Sequence, residues 1–351
     1  MQAVYAVVMA GGRGERFWPL STSQLAKPFI PLLGPTTLIQ DTVSRLHPLV
    51  PPERILISIG EAHHGLARQQ LPGIPDANFI VEPAGRDTAA CLGLCAIHLE
   101  ERNPDAIMLA VPADHFVGEP DDYRRTLQIG IDHLPGATGV VFGVRPVRPD
   151  TSYGYICAQR PAPQSQAWPV IRFVEKPDAA TAEQYFKSGD YFWNSGIFLW
   201  RNRTLLDLFQ EHLPKSYQCL RELQALLRQG ESPQEMLRVF ASMERISVDF
   251  GIAEKASGLR LVPVEFAWDD IGNWSALERA LPADSHGNVS RGAHVPVNTK
   301  NCIVYSDAGP VATFGVENLV VIQAYGKVLV CPKERATDLK RLVTALGPHQ
   351  D

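Results

Sequence analysis

The sequence predicts an α/β protein in which a doubly wound, mostly parallel sheet is followed by a small C-terminal β-helix-like domain. Short β-branched segments alternate with helical segments over residues 1–145, and these predicted strands are apolar throughout. After residue 282 the chain changes to brief β segments eight to ten residues apart. Such alternation is typical of stacked βαβ units, and continuous apolar strands are typical of a sheet with both faces covered by helices.

The individual elements follow from hydrophobic periodicity. Five strands are predicted in the first part, over 3–9, 54–59, 78–81, 106–111 and 139–144. Helices are predicted between them, over 37–46, 61–71, 87–102 and 121–134. The helix over 87–102 is apolar nearly all round, so we expect it to be deeply buried. Closer elements follow: strands over 155–159, 170–174 and 195–200, a helix over 179–188, a helical region over 204–255, and a strand leading into a helix start over 261–274.

The C-terminal part begins after a turn cluster at 284–288. Four β segments are predicted there, over 302–305, 311–314, 319–322 and 327–330. Regular spacing of this kind indicates a β-solenoid fragment or a small β domain. A helix over 333–346 closes the chain and ends at Gly347 and Pro348. We therefore predict a catalytic domain over 1–282 and a β-solenoid-like segment ending in a helix over 283–351.

Composition narrows the classes of function. The chain has 351 residues, a formal net charge of −5 and a pI near 6.1, which argues against a nucleic-acid partner. No apolar run reaches the roughly 18 residues that a membrane span requires. The N-terminal apolar run has no basic residue before it, which argues against a secretory signal. The six cysteines are scattered without a C-x-x-C pair, as in reduced proteins, so we expect a cytoplasmic protein.

A glycine-rich motif follows the first strand, in residues 10–20. Three glycines within four positions let backbone N–H groups approach phosphate oxygens without obstruction by a Cβ. Ligands bind at the carboxyl ends of the strands in open α/β sheets. A plain tight turn is the alternative, but it needs fewer glycines and no cations, so we favour a phosphate-binding loop. The residues concerned are Gly11, Gly12, Arg13, Gly14, Arg16 and Lys27.

Two common phosphate motifs are excluded. The dinucleotide fingerprint G-x-G-x-x-G beginning at Gly12 would require glycine at position 17, where the chain has Phe17. A Walker loop would require Gly-Lys-Ser or Gly-Lys-Thr, which does not follow. The motif therefore indicates a nucleotide phosphate chain that is bound in another way.

The segment AGGRGERFWPLSTSQLAKPF over 10–29 resembles the signature of the sugar-nucleotide pyrophosphorylases. Its Trp-Pro-Leu-Ser variant at 18–21 resembles the members that are mannose-1-phosphate guanylyltransferases. The resemblance covers residues 3–281, and more loosely the C-terminal part. It implies a Rossmann-like nucleotidyltransferase sheet followed by a partial β-helix.

Two aspartates match the metal-binding positions of that family. Asp114 follows the fourth strand, where a turn or a helix cap is the alternative explanation. Asp269 and Asp270 are adjacent, and successive side chains of an extended segment point to opposite faces. The resemblance favours Asp270 as the second metal ligand and leaves Asp269 as structural. It implies that Mg²⁺ is held by Asp114 and Asp270.

Two further segments resemble substrate-binding loops of the family. In residues 173–177, Lys176 would bind the sugar 1-phosphate and Glu175 the sugar hydroxyls, although exposed Glu-Lys pairs are usually solvated surface. Gly154 and Asn194 fit the same sugar site, whereas we interpret Trp193 and Phe198 as core residues. Residues 82–89 resemble the base-reading loop of guanylyl members. The candidates there are Glu82, Arg86, Asp87 and Thr88.

The role of Asp87 has two explanations. Its carboxylate could accept the N1–H and N2–H donors of guanine, or it could cap the helix that follows. We favour the helix cap. Preference for guanine therefore depends on the family pattern more than on any single residue.

The resemblance implies that GTP and mannose 1-phosphate give GDP-mannose and pyrophosphate, without a covalent enzyme intermediate. Arg16, with Arg13, and Lys27 would receive the β- and γ-phosphates, and Lys176 would orient the nucleophile. A homodimer is expected. Glucose 1-phosphate as the sugar, or UTP or dTTP as the nucleotide, remains the main alternative. A nicotinamide oxidoreductase and a catalytically silent homologue are the alternatives from other classes.

Overall fold

The computed structural model describes residues 2–12, 14–160, 165–230 and 233–347. The predicted role of Arg13 and the predicted helix end at Pro348 therefore lie outside the described residues. The strands of the first part are β1 (Val4–Met9), β2 (Ile55–Gly60), β3 (Phe79–Glu82), β4 (Ile107–Pro112), β5 (Phe116–Val117) and β6 (Gly139–Val144). The helices among them are α1 (Leu38–Leu46), α2 (Glu61–Gln70), α3 (Asp87–Arg102) and α4 (Pro120–His133).

The middle of the chain adds strands β7 (Tyr155–Ala158), β8 (Trp168–Val174), β9 (Tyr191–Arg201), β10 (Leu259–Pro263) and β11 (Trp268–Asp269). Its helices are α5 (Ala179–Ser188), α6 (Asn202–His212), α7 (Pro214–Gln229), α8 (Pro233–Ala241) and α9 (Leu277–Ala280). A π-helical turn lies over Asp249–Ala253. The C-terminal part holds β12 (Val289–Arg291), β13 (His294–Val297), β14 (Ile303–Ser306), β15 (Val311–Phe314), β16 (Leu319–Ala324), β17 (Lys327–Pro332) and α10 (Leu339–Leu346).

A nine-stranded sheet in the order β3-β2-β1-β4-β9-β6-β10-β8-β7 organises the first two parts. Strands β3, β2, β1 and β4 pair in parallel, as do β6 and β10. Strand β9 lies antiparallel between β4 and β6, and β7 and β8 add further antiparallel pairings. The predicted α/β class is confirmed. Strand β9 pairs antiparallel with β4 and β6, which are distant from it in sequence. Hydrophobic periodicity carries no information about such pairings.

Helices cover both faces of this sheet. On one face Val7 packs with residues of α3, α6, α7 and α8. On the other face Ala6 and Val8 pack with residues of α1, α2 and α4. Helix α3 is buried over most of its length, as its all-round apolar sequence predicts. Within the described residues, no helix combines the length and the apolar character that crossing a membrane would require.

The C-terminal part is a short β-helix. Strands β12, β14 and β16 stack in parallel on one side, and β13 and β15 stack in parallel on another. The structure has six strands where the sequence predicted four. The two that were missed, β12 and β13, are short, and the second contains Pro296, a residue that is disfavoured in strands. Residues 333–338 form a 3-10 turn before α10 rather than one continuous helix.

A third hydrophobic core joins the glycine-rich segment to the C-terminal part. It combines buried side chains from residues 17–38, 271–277 and 289–339. The connection between β1 and α1 is therefore packed against the β-helix, on the side of the sheet where the candidate site residues lie.

Candidate functional site

The glycine-rich segment leaves the carboxyl end of β1 and passes close to Lys27. Gly14 has φ 62°, and a Cβ at this position would lie 2.8 Å from the Cβ of Lys27. Glycine at 14 is therefore required both by its backbone conformation and by the close approach of Lys27. Gly11 and Gly12 are exposed, and a Cβ at either would meet open space.

Lys27 joins three segments of the chain. Its side chain is buried, and its Nζ donates to Asp114 Oδ2 at 2.9 Å and to the backbone oxygen of Asp270 at 2.6 Å. An ammonium group has three donors, so these two bonds leave one for another acceptor. The structure brings together Lys27, Asp114 and Asp270, which are far apart in sequence.

Arg16 reaches the same place from the outside. Its side chain is exposed, and Nη1 lies 3.4 Å from the backbone oxygen of Gly272. Arg16 and Lys27 therefore both contact the 270–272 turn, one at the surface and one below it. Their cationic groups flank a single region, as expected for residues that bind one phosphate chain.

The two predicted metal ligands are held differently. Burial raises the pKa of Asp114, but the nearby charges of Lys27 and His115 outweigh burial and leave this pKa below its ordinary value. Asp270 Oδ1 accepts hydrogen bonds from the Tyr153 hydroxyl at 2.9 Å and from the Gly272 N–H at 3.1 Å. Burial, followed by the charge of Asp270, raises the pKa of Tyr153, so the tyrosine remains a donor.

Two carboxylates near Lys27, those of Asp114 and Asp270, are the groups here that could hold a metal ion. Within the described residues, no group of three or more His, Cys, Asp or Glu side chains could enclose an ion. Mg²⁺ is typically bound by one or two carboxylates, with substrate phosphates completing the shell. Asp114 and Asp270, both next to Lys27, match that chemistry.

Asp269 has a structural environment. It is buried, and its two carboxylate oxygens accept from the guanidinium of Arg279. Its Oδ1 also accepts from the Ile271 N–H at 2.8 Å. The interpretation of Asp269 as structural is confirmed by these contacts.

The second half of the site is built around Glu175 and Lys176. A cavity of about 390 Å³ is lined by Asp87, Thr88, Glu175, Lys176, Arg245, Ile246, Ser247, Asp249 and Phe250. Lys176 has φ 47°, and its Nζ lies 3.4 Å from Glu175 Oε1. Glu175 Oε2 is buried and accepts no hydrogen bond in the described part of the chain. Gly11 and Gly12 do not line this cavity.

Glu175 is in an unusual electrostatic environment. Burial and then the charge of Asp249 raise its pKa to about 7, against the opposing effect of Lys176. A Cβ at position 154 would overlap Glu175 Oε2, so glycine at 154 makes room for this carboxylate. Asn194 donates its N–H to the Gly154 oxygen at 2.8 Å. The predicted residues Gly154, Glu175, Lys176 and Asn194 therefore lie together.

The sequence analysis missed Asp249. Its carboxylate accepts from Asn194 Nδ2 at 2.6 Å, and burial raises its pKa. It lies on the π-helical turn and lines the cavity. π-Helical turns occur frequently at functional sites, but one acidic residue in a long helical region carries no motif that would reveal it.

The 82–88 loop contacts the same cavity through Asp87 and Thr88. Asp87 has φ 69°, and its Oδ1 accepts from the Thr88 N–H at 2.8 Å. The N-cap position of α3 is Arg86, without a side-chain cap. The favoured prediction that Asp87 caps α3 is therefore wrong, because its carboxylate accepts only from the adjacent Thr88 N–H among the described bonds, while the Ala89 N–H donates to the backbone oxygen of Ile246. Thr88 Oγ1 accepts from the Val248 N–H at 2.8 Å, which ties α3 to the segment before Asp249.

The other two residues of this loop are largely enclosed. Glu82 accepts from the Ser58 hydroxyl at 2.9 Å, and burial raises its pKa. Arg86 Nε is buried and has no hydrogen-bond partner within the described ranges. Trp193 and Phe198 are buried, which confirms their interpretation as core residues.

The two halves are connected through one tyrosine. Tyr153 donates to Asp270 in the half that holds Lys27, and the next residue, Gly154, packs against Glu175 and Asn194 in the half that holds Lys176. Its ring also contacts Trp193 and Trp268 at centroid distances of 4.9 and 5.4 Å. The contacts therefore run without a break from Lys27 to Glu175.

Comparisons with known proteins agree with this architecture. The nucleotidyl transferase family matches residues 5–286, and the MannoseP isomerase/GMP-like β-helix domain matches residues 292–346. A mannose-1-phosphate guanylyltransferase from Klebsiella pneumoniae is 35% identical over 98% of this chain and 74% of its own length. The alginate biosynthesis protein AlgA from Pseudomonas syringae pv. tomato is 32% identical over 97% of this chain and 71% of its own length.

A solved structure is also similar over nearly the whole chain. It is the crystal structure of a protein from Thermus thermophilus described as mannose-1-phosphate geranyltransferase, with a TM-score of 0.90 and 41% identity. The match covers 98% of this chain and 99% of that one. The similarity therefore extends through the sheet and the β-helix.

Proposed function

Because the chain belongs to the nucleotidyl transferase family, we propose that it transfers a guanylyl group from GTP to mannose 1-phosphate. The products are GDP-mannose and pyrophosphate. The relative from Klebsiella pneumoniae supports the choice of substrates. The observation that carries the chemistry is the contact set in which Lys27 bonds both Asp114 and the Asp270 turn.

The reaction needs no nucleophilic side chain. A phosphate monoester is already largely dianionic near pH 7, because its second pKa is about 6. One of its oxygens attacks the α-phosphorus of GTP in line. The bond from that phosphorus to the bridging oxygen breaks, and pyrophosphate leaves with the electron pair. The protein has to position two anions that repel each other and offset their charge.

The phosphate side is assigned to the triphosphate. Lys27 has one donor left after its bonds to Asp114 and Asp270, and we assign this donor to the β- or γ-phosphate. Arg16 lies at the surface of the same turn and binds the outer phosphates, together with Arg13. The backbone N–H groups of Gly11, Gly12 and Gly14 face the same chain of phosphates.

Asp114 and Asp270 are the residues that would hold Mg²⁺. When bound, this ion supplies positive charge that stabilises the phosphates of both substrates. Tyr153 fixes the Asp270 carboxylate through its hydroxyl hydrogen bond. Ligand carboxylates are typically oriented by such outer hydrogen bonds.

The sugar side is assigned to mannose 1-phosphate. The exposed ammonium of Lys176 binds its phosphate, and the free Oε2 of Glu175 accepts from a sugar hydroxyl. Asp249 lines the same cavity, and Asn194 donates a hydrogen bond to its carboxylate. In the 82–88 loop, Glu82, Arg86, Asp87 and Thr88 are the candidates for binding the guanosine part of GTP.

The test is a matrix of pyrophosphate release. GTP, ATP, UTP, CTP and dTTP are each combined with mannose 1-phosphate and with glucose 1-phosphate, with and without Mg²⁺. We expect release with GTP and mannose 1-phosphate, and only when Mg²⁺ is present. A higher kcat/KM for UTP or dTTP with glucose 1-phosphate would contradict the assignment of substrates. A Lys176→Met variant in the same matrix controls for contaminating pyrophosphatase or transferase activity.

A further inference from the structure

The segment between β1 and α1, residues 10–37, is called the phosphate-binding segment below, and it packs against the C-terminal β-helix through its apolar side chains. Phe17, Leu20, Ile30 and Leu32 are almost completely buried. They belong to a core that is separate from the two cores on the faces of the sheet. Their partners in the C-terminal part include Val289, Ile303, Tyr305, Val320, Ile322, Leu329 and Leu339. The conformation of this segment therefore depends on the β-helix as well as on the sheet.

A line of three aromatic rings runs through this core. Tyr305 of β14 lies 5.7 Å from the ring of Trp274, measured between centroids. Trp274 in turn meets Phe17 edge-on at 5.1 Å. Trp274 Nε1 also donates to the backbone oxygen of Trp18 at 3.2 Å. One tryptophan thus joins the β-helix to the residues next to Arg16.

The same line ends at the two cations of the phosphate side. Arg16 immediately precedes Phe17, and Lys27 Nζ lies 5.6 Å from the centroid of the Phe17 ring. Both cations also bond the 270–272 turn, two residues before Trp274. A shift of Trp274 would therefore displace Phe17, which lies beside both cations, and the 270–272 turn, which both cations contact.

Polar contacts support the same interface. Ser275 donates its hydroxyl to the backbone oxygen of Lys333 at 3.1 Å. Arg291 Nη2 donates to the backbone oxygen of Gly34 at 2.6 Å. Helix α10 lies against the 15–17 turn. The α10 contact and the Arg291 bond join the β-helix to the two ends of the phosphate-binding segment, and the Ser275 bond joins it to the residues after the 270–272 turn.

We propose that the β-helix is a positioning element of the nucleotide phosphate site, and that Tyr305 is a positioning residue acting through Trp274 and Phe17 on Arg16 and Lys27. Packed interiors transmit displacement because they hold few voids. A misplacement of about 1 Å that originates far from the chemistry can cost on the order of 100-fold in rate. This proposal rests on the proposed function only for the identity of the ligand, GTP.

The test compares Tyr305→Leu with two controls. Tyr305→Phe keeps the ring that packs on Trp274. Phe314→Ala removes an aromatic side chain from the exposed face of the same β-helix, where it is 76% exposed. For each full-length variant, the dissociation constant of GTP is measured by calorimetry without Mg²⁺, and the KM of each substrate by steady-state kinetics.

We expect Tyr305→Leu to weaken GTP binding and to raise the KM for GTP by about 10-fold or more. The KM for mannose 1-phosphate should stay within about twofold of the wild-type value, because Tyr305, Trp274 and Phe17 are not among the residues that line the cavity beside Lys176. Tyr305→Phe should bind GTP almost as the wild type does, and Phe314→Ala should be unchanged. Near-wild-type GTP binding by Tyr305→Phe would show that the loss in Tyr305→Leu comes from the missing aromatic ring and not from the missing hydroxyl.

Wild-type GTP affinity in folded Tyr305→Leu would overturn the proposal, as would an equal loss of affinity for both substrates. If Tyr305→Leu does not fold, Trp274→Phe keeps a ring but loses the bond to Trp18, and the same two criteria apply to it. The proposed function can fail independently. If the wild type does not join GTP and mannose 1-phosphate, the calorimetry is repeated with the nucleotide that it does bind.

Discussion

The two sides of the candidate site differ in how far their charges are paired before any ligand binds. Lys27 on the phosphate side is 7% exposed and bonds an aspartate and a backbone oxygen, whereas Lys176 on the sugar side is 60% exposed. The carboxylates differ in the same way. The pKa of Asp114 lies below its ordinary value, and that of Glu175 is raised to about 7.

The difference indicates two kinds of binding site. On the phosphate side, a buried cation and an anion stabilise each other, so this half is preorganised and contributes to stability. On the sugar side, Glu175 and Asp249 are buried acids; burial raises the pKa of both, and the charge of Asp249 raises the pKa of Glu175 further. That half carries unpaired acceptors for a polyhydroxy ligand and lowers the stability of the free protein.

The largest expected effect is that of Lys27→Met. Removal of one partner from a buried pair leaves Asp114 without its cation, which typically costs about 3 kcal/mol or more. We expect the unfolding free energy in urea to fall by that amount and kcat/KM to fall by at least about 10³-fold. Lys187→Met removes a lysine from an exposed i,i+4 pair and is the matched control, with a loss below about 0.5 kcal/mol. If the unfolding free energy of Lys27→Met equals that of the wild type, the phosphate side does not contribute to stability, and the proposed difference between the two sides is wrong.

Lys176→Met should separate activity from stability. We expect kcat/KM to fall by about 10²- to 10³-fold, the scale of one aimed electrostatic contact. The unfolding free energy should change by less than about 0.5 kcal/mol, because the side chain is exposed. Wild-type turnover by the folded variant would contradict the role of Lys176.

The adjacent aspartates provide a third comparison. Asp270→Asn should lower activity, and added Mg²⁺ should partly restore it. The unfolding free energy should change little. Asp269→Asn weakens the pair with Arg279 and should lower the unfolding free energy by about 2 kcal/mol, with no recovery of stability on addition of Mg²⁺. The measurements are Mg²⁺ titrations of rate and urea unfolding curves. Mg²⁺-independent activity of the wild type would contradict the metal assignment.

A fourth comparison concerns the pH dependence of stability. Because the folded pKa of Glu175 is about 7 and the ordinary value is 4.5, the unfolded chain releases this proton first as pH rises. The native state therefore loses stability between these two values, by up to about 3 kcal/mol at 1.36 kcal/mol per pH unit. Glu175→Gln should be more stable than the wild type at pH 8, with a smaller difference at pH 5. Equal urea midpoints of variant and wild type at both pH values would refute the raised pKa.

The parts of the fold that follow local sequence rules could be predicted. Strands β1–β4 are continuous apolar runs between helical segments, and the glycine-rich loop and Asp114 follow the carboxyl ends of two of them. Strand β9 was only half predicted, because its first residues at 191–194 carry the polar Asn194. Its antiparallel place in the sheet depends on distant partners that no local pattern reveals.

Site residues that lie within a recognisable sequence motif could be predicted. Those that are identified only by their contacts in the folded chain could not. Lys27, Asp114 and Asp270 were each proposed from short motifs, but their common contact appears only in the structure. Asp249 has no motif and is found through its bond to Asn194. The prediction of a cap at Asp87 was wrong because the Ala89 N–H, which such a cap would bind, donates to the distant Ile246 oxygen.

The division of the site into two halves is tested most directly by calorimetric titration of Lys176→Met with each substrate separately, without Mg²⁺. Loss of one charge-assisted contact should weaken binding of mannose 1-phosphate by about 10- to 100-fold, while the dissociation constant of GTP stays within twofold of the wild-type value. Wild-type affinity for mannose 1-phosphate, or an equal loss for GTP, would contradict the account.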